Sequence, residues 1–193
     1  MDLTQGTEEE KRRRSKKMML WFAIISMAMM FAGLTSAYVV SRNRADWLKD
    51  LEMPSAFMWS TVVILVSSFT FYFAKKAILK NNRSLASGLL LTTLLLALIF
   101  VALQFSGFQQ FIDNGRFPAG SASVINVSFN YLLIFTHLLH LAAGIIVLVV
   151  VIYNHFKQRY KAGQMLGIEL GATFWHFVDI LWIYLFLFLY FFR

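Results

Sequence analysis

Five stretches of this 193-residue chain are apolar over about the length needed to cross the hydrocarbon core of a bilayer, near 18–40, 57–74, 85–105, 131–153 and 170–192. A core about 30 Å thick asks for roughly 20 apolar residues of helix. Lipid leaves no water to satisfy backbone N–H and C=O groups, so only helices and closed barrels cross it. The runs lack strand-like alternation and are about twice as long as a barrel strand, which decides for helices. The fold class expected is therefore all-α, a polytopic bundle of five transmembrane helices preceded by a polar tail, residues 1–17. A signal peptide competes for the first run, where Thr35-Ser36-Ala37 resembles a cleavage site. That run exceeds the usual 7–15-residue signal core, so it is read as a retained helix.

Composition agrees: 59% of residues are hydrophobic and 15% charged, against roughly a quarter charged in a soluble domain. With no cysteine, disulfides, thiolate metal sites and cysteine nucleophiles are excluded. The net charge of +8 sits in short segments beside apolar runs and not in a separate basic domain, so nucleic acid is not an expected partner.

Charge placement sets the expected orientation. The tail, the loop near 75–83 and the loop near 157–161 hold thirteen Lys and Arg, against five on the other side (Arg42, Arg44, Lys49, Arg116 and Arg193). The excess puts the N-terminus in the cytoplasm or organelle matrix and the C-terminus outside. Trp21, Tyr72 and Tyr153 then fall at the inner interface, and Tyr38, Trp59, Tyr131 and Tyr190 at the outer one. The longest connection, about 106–130, is expected to lie along the outer surface. Ala28/Ala32/Ser36 and Gly163/Gly167/Gly171 repeat every four residues, a spacing that lets helix backbones approach closely.

Ionisable side chains within a bilayer cost about 2.5–3.5 kcal/mol even on lenient scales, so each asks for a reason. The fourth span carries His137 and His140; the fifth carries His176 and Asp179, with Glu169 at its entrance. Each intramembrane pair is three residues apart and shares a helix face. Glu169 lies seven residues before His176, about two turns away on the same side. Three readings are open: a metal or haem site using facing imidazoles, a proton relay, or a structural polar network in which His176 and Asp179 satisfy each other or reach the fourth helix. No internal repeat is visible, which counts against an inverted-repeat transporter. Lys16, Lys17, Lys75 and Lys76 on the basic rim are candidates for lipid headgroups.

The run Phe174-Trp175-His176-Phe177-Val178-Asp179-Ile180-Leu181-Trp182, with Glu169 seven residues before the histidine, resembles the last-helix signature of the cytochrome oxidase subunit III family. Thr136-His137-Leu138-Leu139-His140 with Gly144 is similar to the family's His-Gly-Leu-His segment, Leu138 replacing the glycine. Phe31-Ala32-Gly33 and Leu103-Gln104 are further matches. The resemblance implies the short, five-helix form of the family: a non-catalytic subunit in a bacterial inner membrane with no redox centre or metal of its own. Haem and copper would lie in a partner catalytic subunit I. Subunit II, possibly a small subunit IV, bound phospholipid and a respiratory supercomplex are the other implied partners. Electrons would come from cytochrome c, or next from quinol; related chains accompany some nitric oxide reductases. Met27 and Gly107 stand where many members carry glutamate, so roles resting on those carboxylates do not carry over. The rival from another class is a stand-alone membrane haem protein or transporter using the same histidines.

Overall fold

The computed structural model describes residues 7–48, 51–120, 123–160 and 165–192. Lys49, Lys161, Gly163 and Arg193, used above for charge or spacing, lie outside them. Five long helices make up the fold: α1 Glu8–Val40, α2 Ser55–Leu79, α3 Arg83–Asp113, α4 Ile125–Phe156 and α5 Leu166–Phe191, with a 3-10 turn at Ser41–Asn43 after α1. All five are long and apolar enough to span a membrane, and the described residues contain no strand.

The helices outrun the apolar segments that announce them. α1 begins at Glu8 because Thr7 and Glu10 form a reciprocal capping box, which satisfies two donors that a helix start leaves open. The basic run Lys11–Lys17 is therefore helical. The expected 106–130 loop is a shorter connection, since α3 continues to Asp113 and α4 starts at Ile125. Hydropathy marks where lipid begins, whereas the backbone keeps its internal bonds beyond that border. The helix ends are cut by tight left-handed turns. Asn81 (φ 56°), Gln158 (φ 55°) and Gly115 (φ 70°) follow α2, α4 and α3. Bonds such as Asn82 N–H to Ala77 O (3.0 Å) and Arg159 N–H to Asn154 O (3.1 Å) close each cap, as in a Schellman motif.

Contacts arrange α2, α3, α4 and α5 in a closed square, with α2 against α3 the most extensive interface and α5 returning to α2; α1 touches only α4 and α5 among the long helices. Buried positions explain the square. On α3 they are Ala86, Leu90, Thr93, Ala97, Phe100, Gln104, Gly107 and Phe111, in alternating steps of four and three. α4 repeats the rule from Asn130 through Ile134, His137, Leu141, Gly144, Leu148 and Val151 to His155. A spacing of 3.5 keeps one seam facing a neighbour, as in left-handed bundles. Gly107 lies in the α2–α3 seam, where a Cβ atom would overlap the Phe57 ring. A Cβ on Gly171 would stand 3.0 Å from Val151 of α4, so this glycine does mark a close approach. Ala28, Ala32 and Ser36 do not; they are exposed, and Ala28 and Ala32 border an open groove beside α5.

The surface is apolar and the interior is not uniformly so. Phe22, Phe69, Leu95, Ile146 and Phe191 are among many large exposed apolar side chains, whereas Ser60, Ser67, Thr93, Gln104, Asn130, His137 and Asp179 are buried. Such an exterior suits hydrocarbon and not water. At one rim Arg44 bonds Asp46 (3.0 Å) and holds its carboxyl below the ordinary range.

Candidate functional site

Seven-residue spacing places Ser60 and Ser67, and beside them Thr61 and Ser68, at equivalent turns of α2. These hydroxyls serve as a ladder of partners for the other helices. Gln104 Nε2 donates to Ser60 Oγ (2.9 Å), Trp182 Nε1 to Thr61 Oγ1 (3.0 Å) and Trp175 Nε1 to Ser67 Oγ (3.2 Å). Thr70 and Thr93 share a hydrogen bond (2.8 Å), and Ser68 Oγ lies 2.6 Å from His176 Nδ1. The two tryptophans of the α5 signature, Trp175 and Trp182, thus donate to α2, not to α4. Hydroxyl-bearing helices are stabilised this way where water cannot compete, at about 0.6 kcal/mol per contact on average.

The histidines go in different directions. His137 is fully buried; its Nε2–H donates to the Val178 carbonyl (3.2 Å), and its ring packs against Trp182 and Phe100. This fixes the tautomer and leaves Nδ1 without a partner. His140 Nδ1–H donates back to Thr136 O (2.8 Å) and its ring meets Phe31 of α1 edge-on. His176 turns to α2. The three imidazoles bond to three different partners, Val178, Thr136 and Ser68. No group of three His, Cys, Asp or Glu among the described residues could hold a metal ion.

The carboxyls also differ from the expected pairing. Asp179 is 1% exposed and neither oxygen has a hydrogen-bond partner within bonding geometry among the described residues; Ser68, which shares a hydrogen bond with His176, lies beside it. His176 and Asp179 therefore do not satisfy each other. Glu169 stands apart at the start of α5, where it pairs with Lys17 (3.2 Å) and Arg13 (3.4 Å) of α1. Among the described residues no hydrogen bond joins any two of His137, His140, Glu169, His176 and Asp179. His137 links α4 to α5, His176 links α5 to α2 and Glu169 links α5 to α1, so the polar positions serve separate helix contacts, while His140 bonds back within α4.

One residue of this kind went unread in the sequence: His155, buried at the end of α4, bonds Ser87 Oγ (3.0 Å). Its place in the 3.5 repeat of α4 was the available signal. The rim lysines divide. Lys17 and Lys75, with Glu169, Thr173, Leu20, Trp21 and Leu170, line a pocket of about 190 Å³ between α1, α2 and α5. Lys16 and Lys76 are exposed beside it. Farther along the same side of α1 and α5, Ala28, Phe31, Ala32, Phe177, Ile180, Leu181 and Tyr184 line an apolar groove of about 260 Å³.

Five spanning helices, an apolar exterior and an interior stitched by hydroxyls, amides and imidazoles define a polytopic helical membrane protein. The chain belongs to the cytochrome c oxidase subunit III family, whose model matches residues 4–193. It is 30% identical over 146 residues to cytochrome c oxidase subunit 3 of Rattus norvegicus, covering 74% of this chain and 51% of that protein. It is 28% identical over 182 residues to the Neurospora crassa protein, covering 89% of this chain and 62% of the relative. The Spodoptera frugiperda protein is 28% identical over 131 residues, which cover 68% of this chain and 85% of the relative. The chain spans about half the length of several curated relatives that it matches.

Proposed function

We propose that this chain is a non-catalytic subunit of a proton-pumping haem-copper oxygen reductase, packed against a catalytic subunit I that holds haem and copper, with subunit II and possibly a small subunit IV alongside. The observation that carries the reading is the family match over residues 4–193. The side chains of its α4 and α5 signatures, His137, Trp175, His176 and Trp182, are engaged in helix-to-helix bonds. A group already committed to holding helices together is suited to a scaffold. Cytochrome c is the favoured electron donor of the complex, with quinol next.

His137, His140, Glu169, His176 and Asp179 act as structural polar positions, each joining or filling a different helix contact, and not as a catalytic set. The basic N-terminal tail and the connections near 75–83 and 157–161 face the cytoplasm or matrix, by the excess of thirteen Lys and Arg over five. On that side the pocket of Lys17, Lys75, Glu169 and Thr173 receives the headgroup of a phospholipid. Its acyl chain follows the apolar groove between α1 and α5, and Lys16 and Lys76 add to the attraction for anionic headgroups. Residence in a bacterial inner membrane, expected from the short form, gains no support from the relatives above, which come from fungi and animals. What the fold supports is a multi-pass membrane protein.

The test is a mild-detergent pull-down of the tagged chain with an optical spectrum and an oxygen-uptake trace on the eluate. Haem-copper subunits with cyanide-sensitive uptake are expected, and adding cytochrome c or quinol in turn identifies the donor. A colourless, inactive single chain refutes the reading.

A further inference from the structure

The end of the bundle opposite Lys17 and Lys75 carries a groove of its own. Phe105 and Phe108 of α3 and Tyr131, Leu132 and Phe135 of α4 line it, with Pro118 of the connection at its mouth, and its volume is about 420 Å³. Its wall is firm, since the Phe108 and Tyr131 rings stack with centroids 5.0 Å apart. Its hydroxyls are committed within the chain. The Tyr131 O–H is shared between the carbonyls of Phe108 and Arg116 (3.3 Å each), and Ser128 donates to that of Pro118 (2.7 Å). An occupant therefore meets carbon and no free hydroxyl proton. The Tyr131 bond also holds the backbone of Arg116 beside the mouth. The Arg116 side chain is half-buried, and its guanidinium has no ion pair or hydrogen bond among the described residues. Asp113, three residues before it, takes its bond from Gln109 instead (2.9 Å).

Depth decides what fits. α4 is 32 residues long, so with the bundle centred in the bilayer Phe135 lies about 8 Å from the midplane and Ser128 about 19 Å. Hydrocarbon reaches about 15 Å from the midplane and headgroups about 20–22 Å. The groove thus runs from headgroup depth partway down one leaflet, with an unpaired cation at its polar end and carbon below. A spanning partner helix would need a seat through both leaflets, and this one ends in the first. We infer that the α3–α4 groove binds one phospholipid of the leaflet opposite the Lys17 pocket, its acyl chain against the Phe105–Phe135 wall and its phosphate on Arg116. A guanidinium suits that role because its planar fork can bond two phosphate oxygens at once. The inference requires the membrane-spanning fold only, so it stands or falls apart from the oxidase reading.

The test places the full chain in phosphatidylcholine nanodiscs carrying a little phosphatidylglycerol with a diazirine in the upper part of one acyl chain, and maps the labelled residues by mass spectrometry. Labelling of Phe105, Leu132 or Phe135 above that of Val62, exposed at similar depth on α2, is expected. A diacylglycerol with the same diazirine but no phosphate should label the groove roughly fivefold less, and so should the phosphatidylglycerol probe on Arg116→Gln. Arg116→Lys, which keeps the charge, should stay near the parent. Equal labelling of the groove and Val62 overturns the groove as a lipid site. Equal labelling of the groove by the two probes, a comparison that needs no variant, overturns the role given to Arg116. In the co-purified complex, a photoreactive side chain placed at Leu132 should cross-link to lipid; cross-links to a protein segment instead would overturn the lipid in favour of a partner helix.

Discussion

Gly107→Ala tests the α2–α3 seam most sharply, because the structure predicts opposite outcomes for the same substitution at different glycines. In an open helical position such as Gly33, where nothing lies within 4 Å of an added Cβ, alanine stabilises by up to about 1 kcal/mol through chain entropy. At Gly107 the new methyl enters the Phe57 ring. Phe57 is fully buried and hemmed in by Phe108, Phe111 and Trp182 at centroid distances of 6.3, 5.7 and 6.1 Å, so it has no free rotamer to retreat into. Overpacking of this kind costs about 1–3 kcal/mol, and a trapped ring belongs in the upper half of that range. After the entropic offset a net loss of about 1–2 kcal/mol remains, a five- to thirtyfold drop in the folded-to-unfolded ratio. Gly144, whose added Cβ would meet Trp175 at an ordinary 3.5 Å, supplies the intermediate case. The assay is reversible unfolding of the purified chain in mixed micelles, followed by circular dichroism. The double variant Phe57→Leu/Gly107→Ala should recover part of the loss, since neighbouring sites couple. Equal stability of Gly107→Ala and Gly33→Ala would refute the reasoning.

Three further outcomes are expected. Asp179→Leu, nearly the same shape without the two unpartnered oxygens, should unfold in micelles no more easily than the parent and gain up to about 1–3 kcal/mol; a clear loss would reveal a partner for this carboxyl. Gln158→Gly should raise the melting midpoint by the equivalent of about 1 kcal/mol, since Gln158 occupies a left-handed conformation (φ 55°) that costs an L-residue about that much; an unchanged midpoint would argue that the cap is not formed. Glu169→Gln removes the acceptor of two partly exposed ion pairs, each worth below about 1 kcal/mol. A spin label at Ser15→Cys, unique in a chain without cysteine, should become more mobile in this variant. The difference should shrink in high salt, and a label equally mobile in both chains would rule out the tie.

The number, order and type of the helices were legible because lipid imposes a length and forbids other backbone solutions. Their ends were less so: the apolar run from Met18 hid ten helical residues before it, although Thr7 and Glu10 stand at the capping-box spacing. The unusual polar residues of α4 and α5 were also visible, since Asp179 and the histidines violate the apolar background. Their partners were not. His176 turns to Ser68 and Trp175 to Ser67 on α2, and a serine in a membrane helix is common enough to draw no notice. Pairing across the square depends on which face each helix turns inward, a property of all the helices together. The alternating steps of four and three along α3 and α4 carried that information, but only once boundaries were known to within a turn.

The peripheral place of α1 has a consequence for how the molecule is made. α1 is synthesised before α2 and α3, yet its neighbours are α4 and α5, which emerge after both. Its N-terminal end is tied to Glu169 and its C-terminal half to Tyr184 through Thr35 (3.0 Å), both on α5. α5 also closes the square by returning to α2. Membrane insertion can therefore run ahead of assembly until α5 emerges, with α1 waiting alone in lipid and the α2–α3 hairpin packing first. A ribosome stalled before α5 would leave α1 to α4 inserted but open on two sides, which makes α5 the checkpoint at which a quality-control protease would tell a closed bundle from an open one.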